Sequence, residues 1–211
     1  MEQIIINKTI AALKYNHFEV WFAENTAEAR EIFFRNVFPA IQVETVSWGD
    51  SETMKSTGIL EDLKQNPNLS VIHTFGPEMS RAQKIYWRRQ ALHADLFLTG
   101  SNALTQKGQL VNLDMVGNRT GGITFGPKHV VLFIGVNKIT ADLETAMHRI
   151  RTIAAPQNAI RHKGLRTPCQ KTGICMDCNS PDRICNVWSI TEKSYPAGRI
   201  KIILINEELG L

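Results

Sequence analysis

The chain has 211 residues, of which 43% are hydrophobic and 21% are charged, and its formal net charge is +4. These values are close to the averages of globular proteins and exclude a disordered or low-complexity chain. The length suits one α/β domain better than two complete domains, so we expect a single domain over residues 1–211.

The composition of the N-terminus and of the longest apolar runs predicts a cytoplasmic protein. The stretch MEQIIINKTIAALKYN has neither the basic start nor the continuous apolar run of a secretory signal. No segment approaches the ~20 uninterrupted apolar residues that a membrane span requires. We therefore expect a cytoplasmic location and no membrane span.

In chain order, predicted helices and strands alternate along most of the sequence. The predicted helices are 2–15, 26–38 with Thr26 as the N-cap and an end before Pro39, 77–92 with Pro77 as its first residue, and 141–155 ended by Pro156. The predicted strands are 18–22, 41–48, 70–75, 94–100, 111–114, 129–135 and 199–206. This alternation predicts an α/β fold with a largely parallel sheet covered on both faces.

All four cysteines lie in TPCQKTGICMDCNSPDRICN, residues 167–186, with the spacing Cys169-x5-Cys175-x2-Cys178-x6-Cys185. Little hydrophobic periodicity and frequent Gly, Pro, Asn and Asp predict an irregular excursion at about 160–190, outside the core and before the last strand. Four thiolates complete either a zinc shell or an iron–sulfur centre. The spacing does not identify the metal, and reduced buried thiols and disulfides are the alternatives, the latter disfavoured in the cytosol.

A second informative stretch is LTGSNALTQKGQLVNLDMVGNRTGGITFG, residues 98–126, which follows a predicted buried strand. Ligands bind in the crevice outside the strand ends of an open parallel sheet, so we predict a ligand site here and at GVNKI, 135–139. Gly100 permits a sharp turn, and Ser101, Asn102 and Thr105 offer neutral donors and acceptors. The alternative is that these residues only form tight turns.

The same stretch contains charged candidates. GNRTGG, 117–122, predicts backbone N–H groups and Arg119 at a helix N-terminus, which is a ready anion site. Asp114 is the best-placed carboxylate for a general base, although a single Asp at a strand end is more often a cap. Neither a Walker loop nor a dinucleotide fingerprint is present, so no motif supports ATP or NAD binding.

Positive charge is concentrated in one block. From Arg149 to Lys171 there are six Lys or Arg residues and no Asp or Glu. Such a block can attract an anionic ligand, a nucleic acid or an acidic partner, but a solvated surface is an equal alternative. Nucleic-acid binding is not favoured because no aromatic residues interleave the charges. On the helix 77–92, Arg88 or Arg89 could reach the crevice because that helix leads directly into strand 94–100.

The segments ADLFLTGSNALTQKGQLVNLD, GNR, FGPKHVV and GVNKI, together with the Cys-rich stretch, resemble the lactate-utilisation (LUD) domain family. The resemblance extends from residue 48 to the terminal IILINEELGL. It implies the ribose-phosphate isomerase and CoA-transferase fold group, a Rossmann-like three-layer α/β architecture with a mostly parallel sheet. The recurring positions of the family, which would line the crevice, correspond here to Gly49, Ser51, Gly58, Thr99, Gly100, Asn102, Ala103, Thr105, Asn112, Asp114, Gly117, Asn118, Arg119, Asn137 and Lys138.

The resemblance also implies a function. The protein would be an accessory or redox component of organic-acid metabolism, of the kind that converts L-lactate to pyruvate, and would bind a small anionic metabolite. Its partners would be iron–sulfur oxidoreductase proteins, and Cys169, Cys175, Cys178 and Cys185 would ligate a [4Fe–4S] cluster in preference to zinc. The rival hypothesis is a non-catalytic ligand-binding or regulatory protein with a structural zinc site. CoA transfer is not favoured because no glutamate occurs in a glycine-bounded setting.

Overall fold

The computed structural model describes residues 2–76 and 78–211. The strands in these residues are β1 (Glu19–Ala23), β2 (Thr45–Trp48), β3 (Ser70–Val71), β4 (Leu96–Thr99), β5 (Ala103–Thr105), β6 (Leu110–Asp114), β7 (His129–Gly135), β8 (Ile139–Thr140), β9 (Val187–Thr191) and β10 (Ile200–Ile205). The helices are α1 (Glu2–Tyr15), α2 (Thr26–Ile32), α3 (Glu52–Ser56), α4 (Ile59–Gln65), α5 (Arg81–Gln90), α6 (Asn118–Thr124), α7 (Leu143–Arg149), α8 (Ala155–Arg161) and α9 (Cys169–Thr172). Among these residues, no helix combines the length and the apolar content that crossing a lipid bilayer requires.

The main sheet has six strands in the order β1-β10-β7-β4-β2-β3, and all of its neighbouring strands are parallel. Alternate side chains of each strand enter different hydrophobic clusters: on β7, Val131 and Phe133 lie in one cluster, while Val130 and Leu132 lie in the other. Both faces are therefore covered, which confirms the predicted three-layer α/β fold.

Helices from different parts of the chain cover the two faces. Residues of α2, α3 and α4 pack in the cluster around Phe133, and residues of α1 and α6 pack in the cluster around Leu132. Each large apolar side chain buried in this way stabilises the fold by about 1.5–3 kcal/mol. The central strands are thus packed on both faces, and the loops that follow them begin at the carboxyl edge of the sheet.

A second sheet lies beside this edge, in the order β8-β5-β6-β9. Strand β6 is antiparallel to both β5 and β9, while β5 and β8 are parallel. The sequence predicts only β6 of these strands, because β5 and β8 have three and two residues and are too short for a periodic signal.

The end of the Cys-rich excursion joins the second sheet, so the prediction that the excursion lies wholly outside the core is wrong. Strand β9 pairs with β6, and the Asn186 N–H donates to the Asp114 carbonyl oxygen at 2.9 Å. Ile184 is only 9% exposed, and Cys185 packs against the cluster formed by the second sheet and α7.

Two helices that we predicted to end at a proline continue past it. After α2, a π-helical turn (Phe33–Val37) leads into a 3₁₀ turn that contains Pro39; after α7, a second π-helical turn (Ile150–Ala154) leads into α8, which contains Pro156. In both places the residue before the proline donates its N–H to the carbonyl five residues earlier, from Phe38 to Phe33 and from Ala155 to Ile150. The widened turn accommodates a ring that lacks an N–H.

Other predicted boundaries also require correction. The N-cap of α2 is Asn25 rather than Thr26, since its Oδ1 accepts from the Glu28 N–H at 2.9 Å. Helix α5 begins at Arg81 behind a capping box of Ser80 and Gln83, whereas the predicted start, Pro77, lies outside the described residues. The predicted strands 41–48 and 70–75 shorten to β2 and β3, and the short helices α3 and α4 were not predicted.

Phe133→Ala should lower the free energy of unfolding by about 3–5 kcal/mol, because the ring is fully buried and its removal leaves a cavity. Phe125→Ala is the matched control, since Phe125 is 88% exposed. Urea denaturation followed by circular dichroism measures both. Equal losses for the two variants would contradict the position of Phe133 in the core.

Candidate functional site

A cavity of about 330 Å³ opens at the carboxyl ends of β2, β4 and β7, and we call it the crevice. The loops after these strands contribute 50–52, 100–102 and Lys138. The other polar or charged residues on its wall are Arg88, Asp114, Asn118, Arg119, Asn158, Arg161, His162 and Lys163. This is the position at which open parallel sheets bind ligands.

The guanidinium group of Arg119 holds one wall of the crevice together. Its Nη1 donates to the Gly100 carbonyl oxygen at 3.0 Å and to Asn112 Oδ1 at 2.5 Å, and its Nη2 donates to Asn102 Oδ1 at 2.6 Å. The same Nη2 lies 2.7 Å from Asp114 Oδ1, and the Arg119 side chain is 10% exposed. One buried cation thus links the loop after β4, strand β6 and helix α6.

Two glycines make room for this arrangement. A Cβ atom on Gly49 would lie 2.8 Å from Arg119 Cγ, and one on Gly100 would lie 3.1 Å from the Phe133 carbonyl oxygen as well as against Ser51 Oγ. A side chain at Gly49 would push the loop after β2 away from Arg119, and one at Gly100 would push the loop after β4 away from Ser51 and the backbone of β7. Glycine is therefore required here by close packing.

Asp114 caps helix α6 from the end of β6. Its Oδ2 accepts from the Arg119 N–H at 3.0 Å and from the Thr120 N–H at 2.9 Å, while Oδ1 pairs with the Arg119 guanidinium. The predicted anion site at this helix N-terminus is therefore filled by the chain's own carboxylate, and that interpretation is wrong. The general-base role of Asp114 stays a prediction, and its contacts favour positioning.

A network of ion pairs forms the rim of the crevice and joins α3 to α8. Lys55 Nζ lies 2.7 Å from Asp50 Oδ1 and 2.9 Å from Glu52 Oε1, and Arg161 pairs with both carboxylates, at 2.9 Å for Glu52. Burial alone would raise the pKa of Asp50, but hydrogen bonding to Lys55 and the charge of Arg161 outweigh it, so that this pKa lies below its usual value. Asp50 and Arg161 are 111 residues apart in sequence, which explains why local patterns did not reveal the pair.

Arg88 faces the crevice without a carboxylate partner. Its Nε is buried and makes no hydrogen bond, and its guanidinium lies 5.4 Å from the centre of the Phe75 ring. Burial lowers the pKa of Arg88, against the opposing charges of Asp50 and Asp114. Of the two arginines that the sequence offered on this helix, Arg88 lines the crevice and Arg89 does not.

Lys138 is a second cation of this kind. Its side chain is buried, and Nζ donates to Thr53 Oγ1 at 2.9 Å. Burial, followed by the positive charges of Arg149 and Arg119, lowers the pKa of Lys138 to about 7. Lys163 is the third such residue on the wall. In residues 3–76 and 78–211, no ion pair within 4.0 Å includes Arg88, Lys138 or Lys163.

The structure brings about half of the predicted site residues to the crevice wall. Those that line it are Ser51, Gly100, Ser101, Asn102, Asp114, Asn118, Arg119 and Lys138. Those that do not are Gly49, Gly58, Thr99, Ala103, Thr105, Asn112, Gly117 and Asn137. Among the latter, Asn112 supports the wall through its bond to Arg119, Asn137 accepts from the Leu209 N–H at 3.3 Å, and Thr105 bonds to Gln109 within the second sheet.

Six polar wall residues were missed, namely Asp50, Glu52, Asn158, Arg161, His162 and Lys163. The last four come from α8 and the start of the excursion, which the sequence assigned to a basic block. That block does not form one surface: Arg149 is buried and donates to the Asn102 carbonyl oxygen, Arg161 pairs with Asp50, and Arg166 pairs with Asp182.

The four cysteines line one small cavity, which we call the cysteine cavity. Its wall is formed by Ala155, Pro156, Thr167, Pro168, Cys169, Cys175, Met176, Cys178, Arg183, Ile184 and Cys185. All four thiols are free and half-buried. Burial raises the pKa of the Cys185 thiol above its ordinary value. Ile184 lines both this cavity and the crevice, so the two are neighbours.

Arginines hold the loop that carries the thiols. Arg183 donates to the carbonyl oxygens of Cys178 at 2.5 Å and Cys185 at 3.0 Å, and Arg151 Nη1 lies 3.9 Å from Cys175 Sγ. Both arginines also pair with Asp177 Oδ1, at 3.1 Å from Arg151 and 2.7 Å from Arg183, so the cysteine cavity has four soft donors beside two cations that share one carboxylate. In the part of the chain that the structure describes, no three His, Cys, Asp or Glu side chains converge on a metal-ion position.

The fold and the crevice define an α/β protein with a polar cavity at the carboxyl edge of a parallel sheet. A family model described as the LUD domain matches residues 6–205, so the chain belongs to the LUD domain family, as the sequence resemblance predicted. No curated protein matches the chain. A DUF162 family protein from Deinococcus radiodurans has a similar structure, with a TM-score of 0.56 and 11% identity over 98% of this chain and 99% of that chain; this likeness supports the fold alone.

Arg119→Ala should lower the free energy of unfolding by about 3–5 kcal/mol, because it leaves the buried Asp114 carboxylate without its cation. Arg35→Ala, which removes an exposed guanidinium paired with Glu31, is the control and should leave stability nearly unchanged. Chemical denaturation measures both. A loss for Arg119→Ala no larger than that of the control would contradict its linking role.

Lys138→Met should stabilise the protein most at low pH. Because the folded pKa of about 7 lies below the ordinary 10.5, the unfolded chain holds one more proton between these values, and stability rises with pH across that window. The cost of burying the ammonium is complete below pH 7 and disappears towards pH 10.5. The difference in unfolding free energy between variant and wild type, measured at several pH values, should therefore decrease as pH rises; a constant difference would contradict this burial.

Proposed function

We propose that the protein binds a small organic anion in the crevice and a metal centre in the cysteine cavity, and serves redox metabolism of organic acids such as lactate and pyruvate. The observation that carries the first part is the set of unpaired cations on the crevice wall. Membership of the LUD domain family supports the proposed metal centre and redox role, since the resemblance in the sequence includes both the segments of the fold and the Cys-rich segment.

The charges of the crevice support an anionic ligand. Five Lys or Arg side chains and three Asp or Glu side chains line it. The three carboxylates are already paired, with Lys55 and Arg161 on the rim and with Arg119 in the wall. Among the residues that the structure describes, Arg88 and Lys163 therefore remain as unpaired cations, and Lys138, whose pKa is lowered to about 7, is a further unpaired amine. A carboxylate that entered would gain charge-assisted hydrogen bonds from a guanidinium or an ammonium group.

The size and polarity of the crevice support a small ligand. Its volume of about 330 Å³ lies at the lower end of the ~300–1,000 Å³ range of small-molecule sites. Ser101 and Asn118 contribute neutral polar groups to the wall. A two- to four-carbon hydroxy or oxo acid, which has one carboxylate and one further oxygen, matches this combination of cations and neutral groups.

For the cysteine cavity we propose a [4Fe–4S] cluster as the first candidate and zinc as the second. The residues that would hold it are Cys169, Cys175, Cys178 and Cys185, while Arg151 and Arg183 would offset its negative charge. An iron–sulfur centre supplies one-electron transfer when bound. Because Ile184 lines both cavities, such a centre would lie beside the crevice, and the proposed partner is an iron–sulfur oxidoreductase.

Isothermal titration with pyruvate and with L-lactate tests the crevice. Arg88→Gln should weaken binding about tenfold or more, because a hydrogen bond to a charged group contributes ~1.5–3 kcal/mol. Arg89→Gln is the matched control, since Arg89 is exposed on the same helix and lies off the crevice wall. Equal affinity of wild type and Arg88→Gln for both acids would contradict the assignment.

Anaerobic purification followed by iron, sulfide and zinc analysis tests the cysteine cavity. The proposal predicts iron and sulfide in a brown protein, both lost in Cys175→Ser and Cys178→Ser. Stoichiometric zinc in a colourless protein would reject the iron–sulfur assignment in favour of a structural clip. Absence of any metal would reject both.

A further inference from the structure

The surroundings of Lys138 are not explained by a role in attracting an anion to the crevice. It ends the 3₁₀ turn Val136–Lys138 directly after β7, a central strand of the sheet, and it lines the crevice although it is only 4% exposed. Its Nζ donates to Thr53 Oγ1, whose own hydroxyl donates to the Leu209 carbonyl oxygen at 3.1 Å. The hydroxyl oxygen can thus accept from the amine in either protonation state.

The neighbouring charges disfavour the ammonium form. In residues 3–76 and 78–211 no Asp or Glu side chain lies within 4.0 Å of Nζ, and the guanidinium groups of Arg149 and Arg119 lower its pKa. Arg149 is itself buried and donates to backbone carbonyl oxygens. A lysine amine that is desolvated and placed near other cations is the arrangement by which proteins obtain a nucleophilic amine.

The backbone leaves space for this amine. A Cβ atom on Gly210 would lie 3.0 Å from Lys138 Nζ and would also crowd Thr53 Oγ1. Gly210 has a φ of +68°, which L-residues rarely adopt, so both the close packing and the backbone conformation disfavour a side chain there. The chain after β10 therefore closes over the amine from one side, while the crevice borders it on the other.

We propose that Lys138 forms an imine with a 2-oxo acid bound in the crevice. This inference rests on the proposed anion site and deepens it, because it selects oxo acids over hydroxy acids as covalent ligands. The unpaired cations Arg88 and Lys163 would hold the carboxylate, which leaves the adjacent carbonyl carbon for Lys138.

The step balances without an external oxidant or reductant. The Nζ lone pair attacks the carbonyl carbon and forms the C–N bond, the carbonyl oxygen takes up a proton, and a carbinolamine results. Loss of water, which carries away that oxygen and both amine hydrogens, gives the C=N bond. Because the amine must be neutral to attack, a lysine that titrates at about 7 is well suited to act near neutral pH.

Reductive trapping tests this inference. Full-length protein is incubated with pyruvate and cyanoborohydride, digested, and analysed by peptide mass spectrometry. The expected product is a single adduct on the Lys138 peptide, with the mass of one pyruvic acid less one oxygen atom, formed with a rate that rises through about pH 7. L-Lactate, which has no carbonyl group, should give no adduct.

Variants and binding data distinguish the two proposals. Lys138→Arg should abolish the adduct, whereas Lys8→Arg, a change at an exposed lysine of α1 that does not line the crevice, should retain it. Circular dichroism checks that both variants are folded. Titration that detects pyruvate binding to the wild type, combined with no adduct at Lys138 or with adducts spread over exposed lysines, would overturn the imine and leave the anion site standing. No pyruvate binding to the wild type would overturn both.

Discussion

The crevice depends on one buried cation, the guanidinium of Arg119. A charge removed from water is tolerated only when it is paired and hydrogen-bonded, and here Asp114, two asparagine oxygens and a backbone carbonyl meet that requirement. The glycine at position 49 lets the aliphatic part of Arg119 approach the loop after β2. Because Arg119 pairs with Asp114 within the wall, the proposal assigns anion binding to Arg88 and Lys163 rather than to Arg119.

The main sheet was predictable because β4, β7 and β10 are apolar runs that are buried on both faces, and such runs have a clear local signature. The position of the crevice followed from the parallel arrangement, and Gly100 and Asn102 were correctly expected at a strand end. Local patterns could not reveal the rim pair of Asp50 and Arg161, which only the fold brings together. Proline was misleading as a helix terminator, because π-helical turns accommodate it at two places.

Residues of the Cys-rich excursion line both cavities, which the irregular sequence of this segment did not indicate. Strand β9 fixes its end to the second sheet, and Ile184 stands between the thiols and the crevice. Membership of the LUD domain family and the likeness to a DUF162 protein establish the scaffold on which these features are built.

A crystal structure of the protein grown with pyruvate tests most directly the claim that the crevice cations left unpaired by the Arg119 network bind an organic anion. We expect density for the acid inside the crevice, with a carboxylate oxygen about 2.7–3.2 Å from a nitrogen of Arg88 or Lys163. A crevice that contains only water at a saturating concentration of the acid, or an acid bound on another surface, would contradict it.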